Sequence, residues 1–303
     1  MDYRDRYKWN KNSFISDSAY LRMYIDTLKQ FFSLQERQTI YVISKYFTDG
    51  VEYARKNLEV ANACFEAGER LVSRLDSGLP PLLFDFIANI YNRSKSYYFH
   101  KAGDHQRATR LVAAAIETNE RLIASGHFDM LLFDSISHYH NYTALLRRNN
   151  QAEKAGSILG MLSAFLLTAR PNAIFSSDKA AAIMKDTAFY SLKYSNIHTV
   201  ILMSLLKEVE QRRFTGHSDG MQGPVTDAVR SCVADMVVQT DDDDRLKRWF
   251  ACYSNISSGS MPAREYSSEA FDQFLKNTPN MIMGLLAEKI GASGQLTANL
   301  HHL

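Results

Sequence analysis

Lys101-Ala-Gly-Asp-His-Gln-Arg-Ala108 reads as the tight turn of a helical hairpin. Residues 82–101 before it and 105–124 after it carry apolar residues at helical spacing. Gly103 takes the left-handed conformation that ends one helix, and the Asp104 carboxylate accepts from the free N–H groups that start the next. Ala108 lies one turn in, where a small side chain lets two antiparallel helices approach closely. An all-α fold follows from this segment outward.

The same punctuation recurs along the chain. Ser33-Leu-Gln-Glu36 has the form of a capping box and starts a helix expected to run to about Phe47 and end at Asp49-Gly50. A second helix is expected from Val51 to Leu75, with Ser77-Gly78 and Pro80-Pro81 breaking the chain before the central hairpin. Ser125-Gly126 closes that hairpin. A third runs from Asp129 to Arg148, turns at Asn149-Asn150 and ends near Thr168, before Arg170-Pro171. The turns at Gly50, Gly103 and Asn150 lie 53 and 47 residues apart, and Ala54, Ala108 and Ala155 follow them as small helix-opening residues.

Beyond Ser177 a long apolar helix is expected to about Phe214, with a break near Ser195-Asn196. Residues 214–224 have the composition of a linker between a repeat domain (1–213) and a small helical C-terminal section (225–303). That section is expected to hold helices over residues 225–238, 243–253, 268–276 and 280–290, then a tail. Asp241–Asp244 reads as a solvated helix start, its charge favourable at the helix N-terminus.

Lys101–Ala108, followed by Ala115-Ile116, resembles the middle of a tetratricopeptide repeat, with Ala108 and Ala115 at the family's seven-residue small-residue spacing. Tyr139, Leu146, Ala155 and Leu159 resemble the packing residues of a further unit. The resemblance covers about residues 33–169, with repeats longer than the family's standard of about 34 residues. It implies a right-handed solenoid of antiparallel helical hairpins whose first helices line a concave groove for protein or peptide segments.

Composition narrows the function. A net charge of +2 gives no push toward nucleic acid or an anionic membrane, and no apolar run is long enough to span a bilayer. The charged start Met1-Asp-Tyr-Arg-Asp-Arg6 is unlike a secretory signal, so a cytoplasmic protein is expected. Cys64, Cys232 and Cys252 lack metal or redox spacing and are expected as buried free thiols. There is no nucleophile elbow or phosphate loop, no cofactor is implied, and a non-catalytic role is expected.

Aromatic and polar residues crowd two of the hairpin first helices. Tyr91, Asn92, Arg93, Tyr98 and Lys101 form one polar–aromatic set; Asp134, His138 and Asn141 share a helix face in the other. These eight are the expected peptide-contacting residues, though the same aromatics also suit packing between helices. Asp134-x-x-x-His138 has metal-ligand spacing, so a helical metal-dependent enzyme or accessory subunit is the alternative. A homo-oligomeric scaffold using Met281, Ile282, Met283, Leu285 and Leu286 is a further one.

Overall fold

The computed structural model describes residues 15–75, 80–215 and 223–257, together with Met283 and Leu286. Every regular element among them is a helix: α1 Ile15–Phe31, α2 Leu34–Tyr53, α3 Leu58–Leu75, α4 Pro81–Lys101, α5 His105–Ala124, α6 Leu131–Arg148, α7 Ala152–Thr168, α8 Asp178–Lys185, α9 Tyr190–Asn196, α10 Met203–Thr215, α11 Pro224–Cys232 and α12 Asp241–Ser257. Short 3-10 turns at Thr187–Phe189 and Val233–Asp235 and a π-helical stretch at Ile197–Leu202 complete the set. None of these helices is long and apolar enough to cross a membrane.

The expected caps form. Ser33 Oγ accepts from the Glu36 N–H at 3.3 Å while the Glu36 carboxylate accepts from the Ser33 N–H at 2.7 Å. Asp104 accepts from the Arg107 N–H at 2.9 Å. Gly103 and Gly126 sit at φ +84° and +92°, and Asn150 at φ +60°, the left-handed conformations that reverse the chain.

The first hairpin turns later than expected. Helix α2 runs through Gly50 to Tyr53, and the break falls at residues 54–57. Gly50 ends nothing; it makes room. A Cβ there would stand 2.6 Å from the Phe65 ring, and one at Gly68 would stand 2.4 Å from the Phe47 ring. Each phenylalanine fills the space left by the glycine facing it, and the two rings stack at 6.0 Å. The true cap is Asn57, whose Oδ1 accepts from the N–H groups of Glu59 and Val60 at 3.0 and 3.1 Å.

This shift moves the small opening residue from Ala54 to Ala61. Ala61, Ala108 and Ala155 then recur at 47-residue intervals, each fully buried and each donating its N–H to the carbonyl of Asn57, Asp104 or Gln151 four residues before it. Within the first compact unit, residues 1–155 with 188–195, α2 packs on α3 and α4, α4 on α5, and α5 on α6. Its core holds Ile43, Phe47, Phe65, Phe86, Ile87, Leu122, Phe128 and Ile136, none more than 2% exposed. Burying one such phenylalanine contributes roughly 2–3 kcal/mol. A buried polar relay threads that core: Asn89 Nδ2 donates to Asn119 Oδ1 at 2.5 Å and to the Ala115 carbonyl at 3.2 Å.

The second unit covers residues 156–187 and 196–303. Pro224, at the start of α11, lies against Gly156 and Gly160 of α7. Glu208 of α10 reaches the N-terminus of α11 and accepts from the N–H groups of Val225 and Thr226, both at 3.0 Å. The Gly223 backbone admits that carboxylate, since a Cβ there would stand 2.4 Å from it. Tyr253 of α12, fully buried, pairs its hydroxyl with Thr226 Oγ1 at 3.0 Å.

Three further expectations change. The 177–214 stretch breaks after Lys185, whose carbonyl is taken by the Gln239 amide, and runs on without interruption past Ser195-Asn196 into the π-helical stretch. Asp243 is 1% exposed rather than solvated; it accepts from the Gln239 N–H and donates its own N–H to Thr240 Oγ1, at 3.0 and 3.1 Å. All three cysteines are free, but Cys64 and Cys232 are half-buried and Cys252 is exposed. The helices expected over 268–276 and 280–290, most of the linker, and Met281, Ile282 and Leu285 lie outside the described residues; Met283 and Leu286 are buried.

Replacing Gly50 with Ala adds helix propensity worth about 1 kcal/mol but drives a methyl into a rigid ring. A net loss of about 1–2 kcal/mol is expected in urea unfolding, while Thr48→Ala on the exposed face stays within about 0.5 kcal/mol. A stabilised Gly50→Ala protein would contradict the interlock.

Candidate functional site

The eight expected contact residues do not form one stripe. Helix α4 sorts its members onto different neighbours because residues 91 and 98 share a face that residue 93 does not. Tyr91 and Tyr98 face α2 and α3, where their rings meet Phe47 at 5.3 Å and Phe65 at 5.6 Å. Between them the Lys95 ammonium, with a side chain 8% exposed, sits 4.7 Å above the Phe65 ring and pairs with Glu69 at 3.1 Å. Tyr91 donates to the same Glu69 oxygen at 2.9 Å. Burial, reinforced by Glu69, pushes the Tyr91 phenol well above its usual range. These two tyrosines pack.

Arg93, Asp134 and His138 do come together. The Arg93 guanidinium, 38% exposed, pairs with Asp134 of α6 at 3.5 Å. His138 lies one turn further along α6, 8% exposed, and its Nε2 is buried without a hydrogen-bond partner among the described residues. Burial pulls its pKa down to about 4, Arg93 adding to the fall and Asp134 opposing it. Tyr24 of α1 joins the group: burial raises its phenol to about 12, with Arg93 and Asp134 acting on it in opposite directions. Asn92 is half-buried, Asn141 is exposed, and Lys101 stands at the hairpin turn with its ammonium 5.5 Å above the Tyr97 ring.

Chemically, the cluster can donate through Arg93 and accept or donate through a neutral His138. Among the described residues no three His, Cys, Asp or Glu side chains converge as metal ligands.

One surface was missed from sequence. Leu34, Tyr41, Val42, Tyr46 and Tyr53 of α2 are 64%, 70%, 46%, 38% and 45% exposed, on the side opposite Ile40, Ile43, Phe47 and Gly50. Leu58 and Val60 add exposed apolar area just past the turn. The signal was a helix apolar on two faces, and which of the two meets water depends on the helices packed against it; only Tyr53 lies beyond the expected end at Phe47. No protein-family model, curated protein or solved structure matches the chain.

Two outcomes follow from these environments. His138 favours its neutral form in the fold, so its contribution to stability is complete above the unfolded value of about 6.5 and is lost as pH falls toward 4. The difference between wild type and His138→Gln in unfolding free energy therefore shrinks by an amount on the order of 3 kcal/mol across that window. A pH-independent difference would contradict it. Glu69→Ala, which strands the Lys95 charge, is expected to cost about 2–3 kcal/mol, reduced from the fully buried case because Glu69 is 39% exposed. Lys95→Met is expected to stay within about 1 kcal/mol of wild type, both read by denaturant unfolding.

Proposed function

We propose that this chain is a non-catalytic protein- or peptide-binding module, a tetratricopeptide-like row of helical hairpins. The observation that carries this reading is the exposed face of α2, where three tyrosines and two aliphatic residues stand in water beside a well-filled core. Tyrosine presents a large rigid contact area at small entropic cost, and exposed aromatic and aliphatic side chains interleaved with charged ones on one helix suit protein contacts. The occupant is a protein segment with an apolar face; the central Lys45–Asp49 pair supplies polar contacts within the stripe.

The recurrence of Ala61, Ala108 and Ala155 in the same capped position supports the tetratricopeptide-like reading. Arg93, Asp134, His138 and Asn141 supply the polar part of a groove along α4 and α6. An enzyme centred on Asp134 and His138 has less support, because Asp134 is engaged by Arg93.

The test uses the full chain as bait in lysate from its own source, beside two variants. Tyr41→Ser with Val42→Ser changes only exposed side chains of α2, and Arg93→Ala with Asn141→Ala changes the polar cluster. The stripe variant is expected to keep its melting temperature and lose a partner that wild type retains. Equal capture by wild type and the stripe variant would overturn the α2 docking surface; loss confined to the Arg93/Asn141 variant would move the site to the groove.

A further inference from the structure

The antiparallel course of α2 to α7 brings three turns, residues 54–57, 102–104 and 149–151, to one end of the first unit. Their adjacency is bonded. Arg55 Nε donates to the Tyr97 hydroxyl at 3.2 Å, linking the first turn to the second. Asn149 Nδ2 donates to Thr109 Oγ1 at 3.0 Å, linking the third turn to the second.

This edge is rich in free cations. Arg55, Lys56, Lys101, Arg147, Arg148 and Lys154 are all exposed, and none has an ion pair among the described residues. The acids nearby are largely committed: Asp104 caps α5 and pairs with Arg107, while Glu59 and Glu153 stand in the first turns of α3 and α7, where they offset the helix dipoles. Glu52 remains. Several cations are held in place by rings, with Arg55 and Lys101 over Tyr97 at 5.6 and 5.5 Å and Lys154 over Tyr142 at 5.9 Å. Side chains already positioned lose less entropy when they bind.

At the centre of the row His100 and His105 lie 5.5 Å apart, and the Nδ1 of each is buried with no hydrogen-bond partner among the described residues. Burial lowers the His100 pKa, and the charges of Arg148, His105 and Lys101 lower it further. Titratable and fixed charges facing this ring thus agree on a positive local potential.

We propose that this row of turns is a binding edge for an acidic segment of a partner protein. Its cations span roughly 20 Å over two helix-to-helix steps, the reach of about six extended residues. An acidic peptide fits better than nucleic acid. Single strands bind by stacking bases on open aromatic faces, and here Tyr97, Phe99 and Tyr142 carry cations. Duplex readers place a helix or strand in a groove, and this edge is made of turns. A net charge of +2 for the whole chain makes the surplus local to the edge. This inference stands apart from the α2 docking surface.

The full chain is titrated with a fluorescent peptide of about ten alternating Glu and Asp residues, following anisotropy at two salt concentrations. Wild type is expected to bind, more weakly at high salt, and Arg55→Glu/Lys101→Glu/Arg148→Glu is expected to bind at least tenfold more weakly with an unchanged circular dichroism spectrum. All three are exposed, and Arg147→Glu/Lys154→Glu provides a second variant on the third turn. The Tyr41→Ser/Val42→Ser protein is expected to bind like wild type, which separates failure of this edge from failure of the α2 surface. Equal binding by wild type and both charge-reversed variants, no binding by wild type, or tighter binding of an oligothymidine of equal charge would each overturn the proposal.

Discussion

The reciprocal seat of Phe47 on Gly68 and of Phe65 on Gly50 fixes how closely α2 and α3 cross, and the rest of the first unit is laid on that crossing. With any larger residue at either glycine the helices must separate by the thickness of a methyl group. The stacked phenylalanines then present ring faces and edges to α4, and Tyr91, Lys95 and Tyr98 occupy them. Helix α4 in turn carries Asn89, whose amide fixes α5 through Asn119. One close contact between two aromatic rings and two missing side chains thereby propagates through three successive helices.

Polar groups inside this apolar frame give it a single register. Asn89 and Asn119 satisfy one another only if α4 and α5 keep their present axial offset, because a slip of one residue would bury amides without partners. Lys95 works similarly against Glu69, with the added constraint of the ring beneath it. His138 differs. Its Nε2 is buried without a hydrogen-bond partner among the described residues, at a cost the apolar packing around it must offset, and the Arg93–Asp134 pair lies beside it.

The two proposed contact surfaces use different forces and adjoin where α2 ends. Tyr53 closes the apolar stripe, and Arg55 and Lys56 open the row of cations in the next turn. A partner segment with an apolar stretch followed by acidic residues would match both: contact area from the tyrosines, orientation and association rate from the charges.

Local signals in the sequence determined the helices and most of their ends. Ser33 with Glu36, Asp104, Gly103, Gly126 and Asn150 act within four residues of themselves, so their identity and spacing are enough to place a cap or a turn. Gly50 was misread for the same reason: within its own helix a glycine looks like a stop, and only the Phe65 ring from the next helix shows it to be a packing residue. With the turn at residues 54–57, the residue that opens the next helix is Ala61 rather than Ala54, and Ala61, Ala108 and Ala155 stand 47 residues apart. Which of the tyrosines meet water was decided by tertiary structure. Tyr91 and Tyr98 look no different in sequence from Tyr41 and Tyr46, yet the first two are seated against phenylalanines and the others stand exposed. Exposure is set by residues distant in the chain, and spacing along one helix carries no record of them.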